Sequence, residues 1–170
     1  MTTPTGALKA VINPLGDDYP DDDSIKNIIL QVDGLLTDEF LKGKRHVLLH
    51  WQNGIKNGDI VTQILHLTGG CGAYRFYHPT IKLQPKESHS NNTFFDLGPF
   101  TRIQRDQIIL LAKNVGFERK SIVNDCTVWM QDLLAAMVDA GLLSQDKFDE
   151  IDRGIPLSAR VPEIRDSKAA

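Results

Sequence analysis

The feature that most constrains the fold is a pair of apolar stretches separated by a short polar segment. The stretches cover residues 45–52 and 59–68, and the segment between them contains Asn-Gly pairs at 53–54 and 57–58. Asn-Gly accepts the positive φ angles of tight hairpin turns, and alternating apolar residues are typical of strands. The sequence therefore predicts a β-hairpin near the centre of the chain.

Helices are predicted on both sides of this hairpin. Helical spacing of apolar residues together with capping signals predicts helices at residues 25–36, 101–115, 125–140 and 146–153. A short strand at 27–32 is the alternative to the first of these helices. Because Gly141 follows the 125–140 helix, the sequence also predicts where that helix ends.

Together these elements predict an α+β fold in which a small antiparallel sheet carries a C-terminal helix. Further strands are expected at residues 73–77 and 80–83, before a polar loop at 85–92. The length of 170 residues suits one domain. The expected parts are a flexible acidic N-terminal arm, a single α+β domain and a polar tail, at residues 1–24, 25–155 and 156–170.

Charge and composition limit the classes of partner. The chain has 19 Lys and Arg against 22 Asp and Glu, without the basic stripe that nucleic-acid binding requires. It has no run of eighteen apolar residues and no secretory leader, and its two cysteines are too few for a disulfide scaffold. We therefore expect a soluble cytoplasmic protein without nucleic-acid or membrane partners, whose oligomeric state the sequence does not reveal.

Cys126 is the first candidate for chemistry because it is predicted to open the last long helix. Asn124 or Asp125 can cap this helix, and the free N–H groups of its first turn stabilise a thiolate. The neighbouring Asp125 carboxylate opposes a second negative charge. Cys126 also shares a helical face with Trp129 and Met130, so a small core residue is the alternative interpretation.

Two histidines of the predicted hairpin could activate this thiol. His50 lies near the end of the first strand, on the face that it shares with His46, and His66 lies near the end of the second strand. A thiol nucleophile needs an imidazole as base, and the imidazole needs a polar partner that orients it. His50 and His66 can fill these two roles if the helix packs against the hairpin. Taken singly, each histidine is better explained as a half-exposed strand residue.

This arrangement resembles a known family. The pair His50-Trp51 on one strand, His66 on the next strand and Cys126 at the start of a C-terminal helix resemble the circularly permuted papain-like fold of lecithin:retinol acyltransferase-like proteins. Residues 66–70, 74–76 and 126–129 are also similar to small proteins of filamentous fungi. The resemblance implies that Cys126 is the nucleophile, His50 the base and His66 its orienting partner. One departure is Asp125, which stands where the family has Asn directly before the cysteine.

The function implied by this resemblance is a cysteine-dependent hydrolase or acyltransferase. Such an enzyme attacks an amide, ester or thioester and forms an acyl-thioenzyme, with the backbone N–H of Cys126 stabilising the oxyanion. A role in small-molecule biosynthesis is compatible with this chemistry, and no cofactor is expected. Trp51, Tyr74 and Trp129 are candidates to line the substrate pocket, although core packing is their other use. The alternative function is a binding or interaction module that keeps the fold, with Cys126 packed and inert.

A zinc site is a weaker alternative for the same side chains. His46, His50 and His66, with Cys71 or Cys126, could supply nitrogen and sulfur ligands. Their spacing matches no standard zinc motif, so no metal is predicted.

Overall fold

A computed structural model describes residues 14–35, 45–85, 87–155 and 157–164. They form a five-stranded antiparallel sheet with helices packed on it, so the expected α+β class is confirmed. The strands are β1 (Lys26–Asp33), β2 (Val47–Lys56), β3 (Asp59–Leu65), β4 (Thr80–Gln84) and β5 (Asn92–Phe100). The helices are α1 (Pro14–Asp18), α2 (Ser88–Asn91), α3 (Arg102–Asn114), α4 (Cys126–Asp139) and α5 (Gln145–Gly154). The strand order is β4-β3-β2-β1-β5.

The predicted hairpin is confirmed as β2 and β3, and its two Asn-Gly pairs have different roles. Asn57 and Gly58 make the turn, with positive φ angles of 52° and 87° that suit a tight hairpin turn. The first pair lies inside β2, where the pairing with β3 shifts between Gln52 and Gly54. A Cβ atom at Gly54 would lie 2.6 Å from Cδ1 of Tyr19, so this glycine makes room for the aromatic ring.

The predicted helix at residues 25–36 is wrong, and the alternative strand is correct. In β1 the side chains of Ile28, Leu30 and Val32 are buried, as the period of a strand requires. β1 has neighbours on both sides, β2 and β5. Ile29 points to the opposite face, and with Ile28 and Val32 it produces the apolar spacing that also suits a helix.

One further prediction along the sheet fails, and one strand was not predicted. Residues 73–77 form no strand, and the segment has isolated bridges at Arg75, which pairs with Thr68, and at Tyr77. β5 follows directly after the predicted polar loop, in a stretch with no strand pattern in its sequence. β5 is recognisable only from its pairing with β1, which runs from Asp33 opposite Asn92 to Lys26 opposite Phe100.

The sheet has two distinct faces. Leu30, Leu49 and Leu65 pair side by side across β1, β2 and β3 and belong to the core that includes residues of α3, α4 and α5. We call this the helix face. The next row, in which His50 pairs with Ile29 and Ile64, points to the opposite side, the far face.

The far face is concave. The side-chain amide of Gln84 in β4 donates a hydrogen bond of 3.3 Å to the side chain of Gln31 in β1. In a flat sheet these strands would be separated by roughly 14 Å, three times the usual strand spacing. The sheet therefore curves strongly around the far face, and α2 follows directly after β4 beside this concavity.

The three long helices agree with their predictions. Thr101 caps α3 in a capping box with Gln104, and Ser144 caps α5. α4 ends before Gly141, whose φ of 72° suits a glycine after a helix. In the described part of the chain, none of the helices is both long enough and apolar enough to cross a membrane.

A buried ion pair attaches the acidic segment before β1 to the body of the protein. Arg105 of α3 is completely buried, and it donates hydrogen bonds of 2.9 and 3.0 Å to the carboxylate of Asp21. Its remaining N–H groups donate to backbone carbonyls, among them those of Ser24 and Phe100. Lys26 also binds Asp21, at 2.8 Å. The sequence had suggested a flexible acidic arm here, yet Asp21 is a buried anchor.

Residues 157–164 of the predicted polar tail are also attached through side chains. Arg160 forms an ion pair of 2.8 Å with Asp132 of α4. The carboxylate of Glu163 accepts hydrogen bonds from Ser121 and Asn124, in the loop that precedes α4. This segment therefore braces the start of α4.

Candidate functional site

Cys126 is the first residue of α4, as predicted. The side chain of Asp125 caps the helix by accepting hydrogen bonds from the N–H groups of Thr127 and Val128. Asn124, the other candidate cap, instead bonds to the backbone of Val161. The thiol is half-buried against the core of the helix face, and its Sγ donates to the carbonyl oxygen of Arg45 at 3.7 Å.

The surroundings of Cys126 keep its thiol protonated. Burial raises the pKa of Cys126, the backbone N–H of Val47 lowers it in part, and the carboxylate of Asp125 raises it further. The backbone N–H groups at the start of α4 therefore do not offset burial and the nearby carboxylates, and the thiol is not activated.

His50 lies on the far face, with the sheet between it and the helix-face core against which Cys126 packs. Its side chain is 7% exposed, and its Nε2 is buried without a hydrogen-bond partner in the described structure. Burial, with a smaller contribution from the nearby His89, lowers the pKa of His50 to about 4. The ring of Phe94 packs edge-on against it at 6.4 Å between centroids. His50 is therefore a neutral imidazole on a different face from the thiol.

His66 is paired with His46. Nε2 of His46 lies 2.8 Å from Nδ1 of His66, and the rings meet edge to face. Burial lowers the pKa of His66 to about 4, with smaller contributions from His46 and Lys82, and burial also lowers the pKa of His46. In this contact the N–H of one neutral ring donates a hydrogen bond to the unprotonated nitrogen of the other. The polar partner of His66 is thus His46 and that of Cys126 is the Arg45 carbonyl, while His50 lies on the far face of the sheet.

The three aromatic residues considered for substrate binding lie in the core of the helix face. Trp51 and Trp129 are each 1% exposed, and Tyr74 is 7% exposed. The rings of Trp129 and Phe76 pack at 5.4 Å between centroids. All three pack the core, and Trp51 also lines the cavity that opens beside His50.

The side chains considered for zinc do not converge. Among the residues that the structure describes, no group of three or more His, Cys, Asp or Glu side chains could hold a metal ion. Both cysteines are free, Cys71 is exposed, and its Sγ lies 4.0 Å from the carbonyl oxygen of Ser121.

A cavity of about 570 Å³ opens on the far face beside His50. Side chains of β1, β2, β3 and β4 and of α2 surround it, among them Lys26, Ile29, His50, Gln52, Thr62, Gln84 and His89. Two of the residues that line it, His50 and Trp51, are candidate site residues from the sequence, but the cavity itself was not predicted. Its one signal was the alternation that puts His50 and Gln52 on the same face of β2, opposite the apolar Leu49 and Trp51.

No protein-family model, curated protein or solved structure matches this chain. Its function is therefore argued from the chemistry of the described residues. Two places matter most, the protonated thiol at the start of α4 and the cavity beside His50.

Proposed function

We propose that this protein is a binding or interaction module on a circularly permuted papain-like scaffold, in which Cys126 is a structural residue. The scaffold is suggested by a cysteine that opens a helix packed on an antiparallel sheet, after a hairpin that carries the two histidines. The observation that carries the proposal is the hydrogen bond from Cys126 to the Arg45 carbonyl, on the face of the sheet opposite to His50.

The distance criterion for a catalytic pair supports this proposal. A nucleophile and its base lie within hydrogen-bond reach of each other, about 3 Å, or slightly more in a free enzyme. Here the thiol contacts a backbone carbonyl, His50 lies on the far face, and the polar partner of His66 is His46. A carbonyl oxygen can accept the thiol proton in a hydrogen bond, but it cannot remove that proton.

The second candidate function is the cysteine-dependent hydrolase or acyltransferase. It is favoured by the position of Cys126 as the first residue of α4, where free backbone N–H groups could stabilise an oxyanion. In that mechanism the thiolate attacks an amide, ester or thioester carbonyl. The acyl group moves to sulfur, and the leaving group takes the proton held by His50, which His66 orients. This mechanism requires a rearrangement that brings an imidazole to the helix face.

Alkylation of Cys126 by iodoacetamide distinguishes the two functions. We expect slow labelling at pH 7, an apparent pKa above the usual value of about 8.5, and the same profile in His50→Ala. Peptide mass spectrometry follows both cysteines in one sample. The exposed Cys71 serves as the internal reference and should label faster.

The opposite result would assign the enzyme function. Rapid labelling of Cys126 at pH 7 that disappears in His50→Ala means that an imidazole reaches the thiol. The binding-module proposal would then be wrong.

A further inference from the structure

Residues 158–164, which we call the tail segment, are held on the body of the protein mainly by polar contacts. The segment forms neither helix nor strand, and it follows Leu157, which is buried in the core. Val161 is 46% exposed and Ile164 is 64% exposed, so the segment buries little apolar surface. A segment with few buried apolar contacts opens locally at a low cost in free energy.

Asn124 binds the backbone of the tail segment. Its side-chain N–H donates to the carbonyl oxygen of Val161 at 2.8 Å, and the N–H of Val161 donates to its Oδ1 at 2.9 Å. Pro162 favours an extended backbone at Val161, the residue that precedes it. Recognition sites for extended peptides use main-chain hydrogen bonds of this kind, which do not depend on the side chain of the bound residue.

Two charged side chains of the tail segment have specific partners. Arg160 forms an ion pair of 2.8 Å with Asp132 of α4. The carboxylate of Glu163 accepts hydrogen bonds of 2.8 Å from Ser121 and 2.7 Å from Asn124. A carboxylate meets the arginine and neutral donors meet the glutamate, so the contacts fix the order of the two charges along the segment. We call the surface formed by Ser121, Asn124 and Asp132 the tail surface.

Bonds outside the tail segment hold the loop that carries Ser121 and Asn124. The N–H of Gly72 donates to the carbonyl oxygen of Ser121 at 3.0 Å, and the N–H of Tyr74 donates to that of Arg119 at 2.8 Å. Within the loop, Oγ of Ser121 accepts the N–H of Asn124 at 2.9 Å. These donors therefore keep their positions when the segment leaves, and a site that is already formed binds its ligand at a lower cost in entropy.

We propose that the tail surface is a peptide-binding site for a short segment of another protein that carries an arginine and a glutamate three positions apart. The tail segment occupies the same site as a built-in competitor. Because it is tethered, its effective concentration is roughly millimolar, so a partner segment must bind more tightly to replace it. This inference rests on the proposed binding function and specifies the chemistry of the partner.

A full-length variant with a weakened tail segment tests the proposal. Arg160→Ala combined with Glu163→Ala removes both charged contacts and leaves the tail surface unaltered; we call this variant the opened chain. The probe is a synthetic peptide with the sequence of residues 158–164 and blocked ends. In NMR titrations we expect saturable shifts of the Ser121 and Asn124 amides. The apparent affinity of the opened chain should be at least about tenfold higher than that of the unaltered chain, where the tail segment competes.

Substitutions in the opened chain and in the peptide test which groups select the ligand. Asp132→Lys should lower the affinity for the peptide by about fivefold, as the loss of a half-exposed ion pair allows. Asp139→Lys makes the same change of charge at an exposed position of the same helix, and the affinity should stay within about twofold. A peptide with alanine in place of its glutamate should bind about tenfold more weakly, because two hydrogen bonds to a charged group are lost.

Three results would overturn the proposal. They are the absence of saturable shifts at millimolar peptide, equal affinities of the opened and unaltered chains, and an affinity that changes neither with Asp132→Lys nor with loss of the peptide's glutamate. If the opened chain does not fold, millimolar peptide is added to the unaltered chain. Displacement of the tail segment should then shift the Val161 amide, and the absence of this shift would overturn the proposal.

The alkylation of Cys126 is read independently of these titrations. An inert thiol with no peptide binding would overturn the peptide site alone, whereas a reactive thiol that depends on His50 would overturn the proposed function.

Discussion

At the scale of single residues, the buried ion pair between Arg105 and Asp21 is the most consequential contact. Arg105 is fully buried, and the carboxylate of Asp21 is 6% exposed. Although burial acts to raise the pKa of Asp21, hydrogen bonds from Arg105 and Lys26 lower it below its usual value. Charges removed from water in this way must be paired, and the loss of one partner leaves the other uncompensated.

We therefore expect Asp21→Asn to lower the free energy of unfolding by about 3 kcal/mol, because the guanidinium of Arg105 loses its counter-charge. Urea unfolding at pH 7 measures this change. The control is Asp106→Asn, which breaks a pair of 2.9 Å with Arg102 in which both side chains are more than a third exposed. That variant should lose less than about 1 kcal/mol. Equal losses in the two variants would contradict a structural role for Asp21.

Part of the candidate site could be predicted from local sequence patterns. The position of Cys126 at a helix start could be predicted because Asp125 is a strong capping residue. The face on which His50 lies could also be predicted from the alternation within β2. Leu49 and Trp51 are the apolar residues expected to face a helix, so His50, which lies between them, points to the other side. The pairing of His66 with His46 could not be predicted, because it depends on how the end of β3 meets the start of β2.

At the scale of elements, the helices could be predicted and part of the sheet could not. α3 and α4 carry caps and periodic apolar residues within one local stretch, so their signals do not depend on distant contacts. β1 and β5, in contrast, are strands because they pair with each other, for example at Leu30 and Phe95. Strand formation of this kind depends on partners far along the chain, which a local pattern does not contain.

The turn after β3 offers a test at this scale with adjacent glycines. Gly69 has a φ of +90°, and a Cβ atom there would collide with the carbonyl oxygen of Ala73. In the described structure a Cβ atom at Gly70 meets no atom within 4 Å. We expect Gly69→Ala to lower the free energy of unfolding by about 2 kcal/mol or more, from left-handed backbone strain and the collision.

Gly70→Ala is the control, and its free energy of unfolding should change by less than about 1 kcal/mol. Thermal or urea unfolding of both variants gives the comparison. A Gly69→Ala protein as stable as Gly70→Ala would show that the turn has a different conformation.

At the scale of the whole molecule, the buried histidines couple stability to pH. The pKa values of His50, His66 and His78 are each lowered to about 4, chiefly by burial, from a usual 6.5. Between pH 6.5 and 4 the unfolded chain therefore binds more protons than the folded one. Stability contributed by the neutral rings is complete above pH 6.5 and is lost as the pH falls towards 4.

We expect the free energy of unfolding to decrease below pH 6.5 by up to about 1.4 kcal/mol per pH unit for each of these histidines. Urea unfolding at pH 7, 6 and 5 measures the slope. His50→Phe removes one titrating group and should reduce the slope by about a quarter to a third, because the pKa of His46 is also lowered. A stability that does not change between pH 7 and 5 would mean that these rings are accessible to protons in the folded protein.

The order of strands in the sheet has a consequence for how the chain folds. β1 to β4 pair with their neighbours in sequence, so this meander can assemble from short-range contacts, whereas β5 must close a loop of about 60 residues to reach β1. Until β5 arrives, the apolar β1 presents an unpaired edge to other chains. During refolding, the pairing of β5 with β1 therefore competes with aggregation through the free edge of β1. Only the rate of aggregation rises with protein concentration, so refolding at low concentration favours the pairing.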